Sequence, residues 1–273
     1  MWTETTRRQY ERRGPGYASD LSDEEWQVLE PYLPAPSGLG RPRTTSLRAV
    51  VNAIFYLARA GCPWRLLPHD FPPRSTVQRY FYMWRDMGLW GSINRQLVAV
   101  ERRALARKPH PSAGIIDSQS AATTESGGPR GLDPAKRIKG RKRHIVTDTE
   151  GMLLDVLVHP ANIQDVHGAV PLLHQLRKRF PKLDLIFADR VYRGDKLLKD
   201  LQDCGPWKIE IVQRPAGVKG FQLLPRRWVV ERTFAWLSRA RRLTKDFERS
   251  VITEQAWIYI ASVILLARRR ARH

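Results

Sequence analysis

The feature that most constrains the fold is a change of hydrophobic period near residue 108. Before it, apolar residues recur at helical spacing: Leu47, Val50, Val51, Ile54 and Ala58 share one face, and so do Val77, Tyr80, Phe81 and Trp84. After Lys108-Pro-His-Pro-Ser, short β-type runs alternate with helical ones. This order predicts an all-α region followed by an α/β domain built on a mixed sheet.

Boundaries follow from local chemistry. Residues 1–20 are charged and Gly/Pro-bearing and read as a flexible arm. Ser22 with Glu25 forms a capping box that opens the first helix, and Leu21 is placed to staple onto Trp26. The second helix starts after Ser46 and stops at Gly61 and Pro63. Ser75 with Gln78 predicts a second capping box and a third helix that ends at Gly88. A fourth helix is expected from about Ser92 towards Arg107. The helical region therefore spans 21–108 and the second domain 112–268.

In the second domain, Gly114-Ile-Ile-Asp reads as a short strand ending on Asp117, followed by a long Gly-, Ser- and Lys-rich segment from Ser118 to Lys142. His144-Ile-Val-Thr-Asp and Met152-Leu-Leu-Asp-Val-Leu-Val flank a Thr-Glu-Gly turn, a hairpin signature. An amphipathic helix begins at Asn162 or Asp165, with capping as the expected role of those two residues. Leu183-Asp-Leu-Ile-Phe-Ala is a strand ending at Asp189, and Lys208-Ile-Glu-Ile-Val is another. A helix from about Pro225 carries Glu231. The apolar run 256–267 is shorter than the roughly 20 residues of a membrane span, and reads as a buried helix.

Charge narrows the partners. Lys and Arg total 47 against 27 Asp and Glu, a formal net charge of +20. Such a surface concentrates polyanions and releases counterions from a nucleic-acid backbone. The run Lys139, Arg141, Lys142 and Arg143 is expected to contact DNA phosphates, although a solvated loop is the plainer reading. Arg74, Gln78, Tyr82 and Arg85 recur on one face of the third helix, a face suited to a major groove or to the backbone beside it. Two cysteines, Cys62 and Cys204, are too few for a disulfide framework, so a cytoplasmic setting is expected, with no membrane partner. His144 has no partner at metal-ligand spacing. His159, His167 and His174 match no zinc pattern.

Asp117, Asp189 and Glu231 are three carboxylates placed at strand ends and early in a helix. Brought together, they would repel unless a cation neutralised them, and hard oxygen ligands suit Mg²⁺ or Mn²⁺. Each also has a plainer role: a strand-end Asp forms turns, and Glu231 has Arg227 one turn earlier on its own helix.

Their flanks distinguish the readings. The second half carries Ile115-Ile-Asp-Ser-Gln-Ser, Lys139-Gly-Arg-Lys-Arg-His, Ala161-Asn-Ile-Gln-Asp, Phe187-Ala-Asp and Leu224-Pro-Arg-Arg-Trp-Val-Val-Glu-Arg-Thr-Phe-Ala-Trp-Leu, in that order. It resembles the IS-five family of insertion-sequence transposases, and the helical region resembles that family's N-terminal part. The resemblance implies a ribonuclease-H-like DDE domain over about 112–268, with Asp117, Asp189 and Glu231 holding two Mg²⁺ ions, or Mn²⁺ in their place. It implies cleavage at transposon ends and transfer of the 3′-hydroxyl into target DNA. The partners implied are double-stranded DNA, both terminal inverted repeats and target, and a second copy of the chain in a dimer or higher synaptic complex at the nucleoid.

Arg227 matches the Arg-to-Glu spacing of the related IS-four signature, where it would contact phosphate. The Tyr and Lys of that signature fall on Leu224 and Ser238, so Arg239 or Arg242 is the expected substitute for the Lys. Val191 stands where the family usually has a small residue. If that position needs φ > 0, a β-branched side chain is strained there. A catalytically impaired, DNA-binding derivative is therefore the alternative function.

Overall fold

In the computed structural model, residues 3–4, 16–35, 42–193, 195–212 and 226–272 are described. Most of the expected N-terminal arm, residues 36–41, and Leu224 and Pro225 of the long motif lie outside them.

Helix α1 (Asp23–Leu29) opens with the expected capping box: Glu25 N–H donates to Ser22 Oγ and Ser22 N–H to Glu25 Oε2, each at 3.2 Å. Helix α2 (Leu47–Ala60) is capped by Ser46 and ends on Gly61 at φ 70°. A Cβ on Gly61 would also lie 3.0 Å from the Arg241 backbone, so glycine meets both a conformational and a steric need. Helix α3 (Arg74–Asp86) begins one residue before the expected cap. Pro73 is its N-cap, Thr76 and Val77 donate to the Pro73 carbonyl, and Ser75 lies inside the first turn. The expected Ser75/Gln78 capping box is not made, because Pro73 already starts the helix. Gly88, at φ 64°, leads directly into α4 (Leu89–Ala104), which starts three residues earlier than expected.

The sheet is centred on β1 (Ala113–Ala122). A short β2 (Gly131–Asp133) and a long β3 (Ile138–Asp148) follow, then β4 (Leu153–Pro160), which closes a hairpin through Gly151 at φ 87°. Strand β5 (Leu185–Ala188) lies parallel to β1 on its other side, and β6 (Lys208–Ile211) parallel to β5. Parallel neighbours need crossovers, and α5 (Asp165–Arg179) and α6 (Asp195–Asp200) supply them. The order β4-β3-β1-β5-β6, with three antiparallel strands and then two parallel ones, is the expected ribonuclease-H-like mixed sheet.

Helix α7 (Arg227–Leu237) packs on β1 and β3. Helix α8 (Val251–Arg270) packs against α4, β4, α1 and α2. It is long and apolar enough to cross a membrane, but 67% of its apolar window is buried by the rest of the protein. Trp257 stacks on Phe81 at 4.5 Å, and Ser262 donates to Asn94, which in turn donates to the Leu153 carbonyl. One apolar cluster thus joins the N-terminal helices, α8 and the sheet.

The Gly-, Ser- and Lys-rich segment, Ser118 to Lys142, contains the second half of β1, all of β2 and the start of β3. Asp117 is consequently mid-strand, not at a strand end. The basic run was misread for the same reason. Arg141, Lys142 and Arg143 are 0%, 6% and 4% exposed. Arg141 Nη1 lies 2.8 Å from Asp246, Lys142 Nζ lies 3.0 Å from Asp165, and Arg143 Nη2 lies 2.5 Å from Glu254. Arg141 also donates to the Pro129, Glu248 and Arg249 carbonyls, and Arg143 to that of Leu243. The expected DNA contacts of Arg141, Lys142 and Arg143 are therefore corrected. Their charge is used inside the protein, joining β3 to α5, to α8 and to the turn before α8. Lys139, at the start of β3, is exposed.

Candidate active site

The β1–β5 register sets the position of the two aspartates. Ala113, Gly114 and Ile115 pair in parallel with Leu185, Ile186 and Phe187. Continued by two residues, that register brings Asp189 abreast of Asp117. β5 stops at Ala188, so the carboxylates meet where the two strands part, a place where α/β sheets commonly build their sites.

Asp117 accepts from the Ser118 N–H at 2.7 Å. Its carboxyl is pushed up to about 6, first by burial and further by the charge of Asp189, while the Ser118 N–H, Arg227 and Lys136 pull it down. Asp189 caps the short 3-10 turn Arg190–Tyr192, and its Oδ1 accepts from the Val191 N–H at 2.8 Å. This turn is made without positive φ at Val191, whose side chain is 52% exposed. The strain and crowding expected of Val191 are absent, because the cap needs only an N–H, which any residue but proline supplies.

Glu231 lies in the second turn of α7 and is largely exposed. Arg227 Nη2 is 3.4 Å from Glu231 Oε1 and 3.9 Å from Asp189 Oδ2. The i,i+4 pairing anticipated as the plainer role of Glu231 is therefore present, and the same guanidinium also reaches Asp189. The two aspartates and Arg227 share one electrostatic environment, and Glu231 is attached to it through Arg227. Among the described residues, no group of three His, Cys, Asp or Glu side chains is drawn close enough to hold a metal ion. The donor set still fits a hard divalent cation: it is all carboxylate oxygen, and the Asp117–Asp189 repulsion is what a cation relieves.

A buried network behind β1 was not legible in the sequence. Ser118 Oγ donates to Asp165 at 3.0 Å, and Lys142 holds the same carboxylate. His144 lies 2.7 Å from His159 through one ring nitrogen and 3.0 Å from the Tyr192 hydroxyl through the other. Burial, with Lys142 and His159 nearby, pushes His144 down to about 3, so the ring is neutral at pH 7. Tyr192 and Ser118 closely follow Asp189 and Asp117, so the network adjoins both aspartates, one past the end of β5 and one in the middle of β1. Asp165 is the first residue of α5 and makes no side-chain cap; it is used here instead. Spacing gives no signal for partners 15 and 48 residues apart.

The remaining predicted contacts divide. Arg74 is exposed and Gln78 half-buried. Arg85 is turned onto Asp86, at 2.7 Å, and the Thr253 hydroxyl, at 2.9 Å. Of the two substitutes for the signature Lys, Arg242 is buried against Glu248 at 2.5 Å, whereas Arg239 is exposed.

Residues 108–266 match the family described as "Transposase DDE domain", and residues 21–94 match "Putative transposase of IS4/5 family". The chain is 33% identical over 163 residues to "Putative transposase for insertion sequence element IS402" of Burkholderia cepacia, covering 55% of this chain and 72% of that protein. It is 29% identical over 124 residues to "Insertion element IS402 uncharacterized 16.2 kDa protein" of the same organism, covering 42% of this chain and 80% of that one. No solved structure matches.

Proposed function

The chain belongs to the DDE-domain transposases of the IS4/5 family, and from that premise we propose that Asp117, Asp189 and Glu231 form the site where it cuts transposon ends and joins the freed 3′-hydroxyl to target DNA. The observation that carries this reading is the Arg227 guanidinium shared by Asp189 and Glu231, together with the register that aligns Asp117 with Asp189. Asp117 and Asp189 are the primary ligands for Mg²⁺, or Mn²⁺, with Glu231 completing the set. A bound pair of such ions would activate the attacking hydroxyl and stabilise the leaving oxygen of the phosphodiester.

The chain's own groups orient the substrate. Arg227, partly exposed beside both acids, binds the phosphate next to the scissile bond, where a planar guanidinium suits two oxygens. Arg239, exposed just past the end of α7, adds a second cation for the backbone. Lys139, Arg74 and Gln78 contact DNA farther out, and the helical region 21–108 holds the terminal inverted repeats. Two ends must be cut together, so the working unit is a dimer or higher synaptic complex at the nucleoid.

The decisive test is Mg²⁺-dependent cleavage of end-bearing DNA. Asp117→Asn, Asp189→Asn and Glu231→Gln each abolish cleavage and leave end binding nearly intact. Wild-type cleavage by any one of them overturns the assignment.

A further inference from the structure

A second cationic site lies away from the three carboxylates. A cavity of about 270 Å³ opens at the β4 edge of the sheet, where α3, α4, α5 and α8 meet. Neither Asp117, Asp189 nor Glu231 lines it. Its volume is close to the roughly 300 Å³ at which small-ligand sites begin.

Three guanidiniums line the cavity: Arg85, Arg95 and Arg179. Two are matched. Arg85 pairs with Asp86, and Arg179 with the buried Asp155, which also accepts from the Tyr259 hydroxyl. Arg95 makes no hydrogen bond or ion pair among the described residues, and lies near enough to Arg179 for the two to repel. Burial and that repulsion lower its affinity for its proton, against the weaker pull of Tyr259 and Asp155. The site therefore carries one positive charge in excess, held partly out of water, where an anion is worth more than at an open surface.

The walls add aromatic rings and amides. Trp84 and Trp90 line the cavity at 1% and 2% exposure, with their indole N–H groups closed off inside the wall. Gln175 and Gln255 present amides, and Gln255 uses only its N–H, towards the Val156 carbonyl at 3.1 Å. Its oxygen remains free to accept. Aromatic walls, amides and an uncompensated guanidinium suit a base joined to a phosphate, not a bare inorganic ion.

We propose that this cavity binds a phosphate ester of about one nucleotide in size, with Arg95 as the principal phosphate contact. The ester comes either from a DNA strand, as a terminal or extruded nucleotide, or from a free nucleotide. The site shares no residue with the carboxylate cluster, so Asp117→Asn retains its binding, and the two proposals fail separately.

The test titrates thymidine monophosphate and inorganic phosphate into the full chain, read by tryptophan fluorescence. In parallel, it measures affinity for a fluorescein-labelled DNA over a range of salt. Arg95→Gln weakens nucleotide binding about tenfold or more, as expected for a lost charge-assisted contact. Arg103→Gln, at an exposed position outside the cavity, leaves it unchanged. If DNA supplies the ester, Arg95→Gln also reduces the salt slope by about 0.9 per lost phosphate contact. If a free nucleotide supplies it, the slope is unchanged while thymidine monophosphate binding falls. Gln175→Ala provides a second, uncharged variant that also weakens binding. Unchanged nucleotide affinity and unchanged salt slope in both variants, with thermal melting showing them folded, overturn the proposal.

Discussion

The Arg227 guanidinium stands 3.4 Å from Glu231, one turn along the same helix, and reaches Asp189 across the gap at 3.9 Å. The cation that neutralises the carboxylates here is thus a side chain of the protein itself.

A side-chain cation and a divalent ion compete for the same oxygens. Arg227→Gln is expected to shift Mg²⁺-induced thermal stabilisation to lower Mg²⁺ while reducing cleavage of end DNA. A Mg²⁺ midpoint identical to that of the native protein would show that Arg227 does not guard the acids.

The buried basic strand predicts opposite behaviour from neighbouring residues. Arg141→Met leaves the buried Asp246 without its ion-pair partner and costs about 3–5 kcal/mol, measured by urea unfolding. Lys139→Ala, at an exposed position, changes stability by no more than about 0.5 kcal/mol and instead lowers DNA affinity at low salt.

Glu254 gives a pH dependence. Complete burial pushes its carboxyl up to about 8 despite the Arg143 guanidinium 2.5 Å away, and the charges of Asp246 and Glu248 raise it further. A carboxyl whose pKa is higher in the folded than in the unfolded chain binds its proton more tightly when folded. Its contribution is therefore fully present below about 4.5 and is lost as pH rises towards 8. Between those values the slope approaches about 1.4 kcal/mol per pH unit. Glu254→Gln should flatten that part of the stability curve; an unchanged slope would assign it to other groups.

Val191→Gly is expected to give no gain in cleavage. The native backbone there is not left-handed, and the Asp189 cap uses only the N–H. Added chain freedom would lower stability by roughly 0.5–1 kcal/mol. A large rise in cleavage would revive the reading of this chain as an impaired derivative.

Legibility followed the kind of signal. Ser22 with Glu25, Gly61 and the Gly151 turn were readable because caps and turns are set by neighbours in the chain. The strand pairs β1, β3 and β5 were readable where they are apolar, and failed where they are not. Ser118 and Ser120 on β1 and Arg141 to Arg143 on β3 read as loop and surface, yet they are buried. Their polar groups are met by Asp133, Asp165, Asp246 and Glu254, which a linear pattern does not connect to them. The His144–His159–Tyr192 network was hidden for the same reason.

The sequence alone determined the order of elements, the excess of positive charge and the motifs surrounding Asp117, Asp189 and Glu231, because these rest on periodicity, composition and local order. Tertiary structure decided which charges face solvent and which are consumed inside. It set Asp189 abreast of Asp117, placed Arg227 between Asp189 and Glu231, and left Arg95 unmatched in a cavity. Those outcomes depend on distances between residues far apart in the chain, and on burial, which changes the cost of a charge by more than any local preference does.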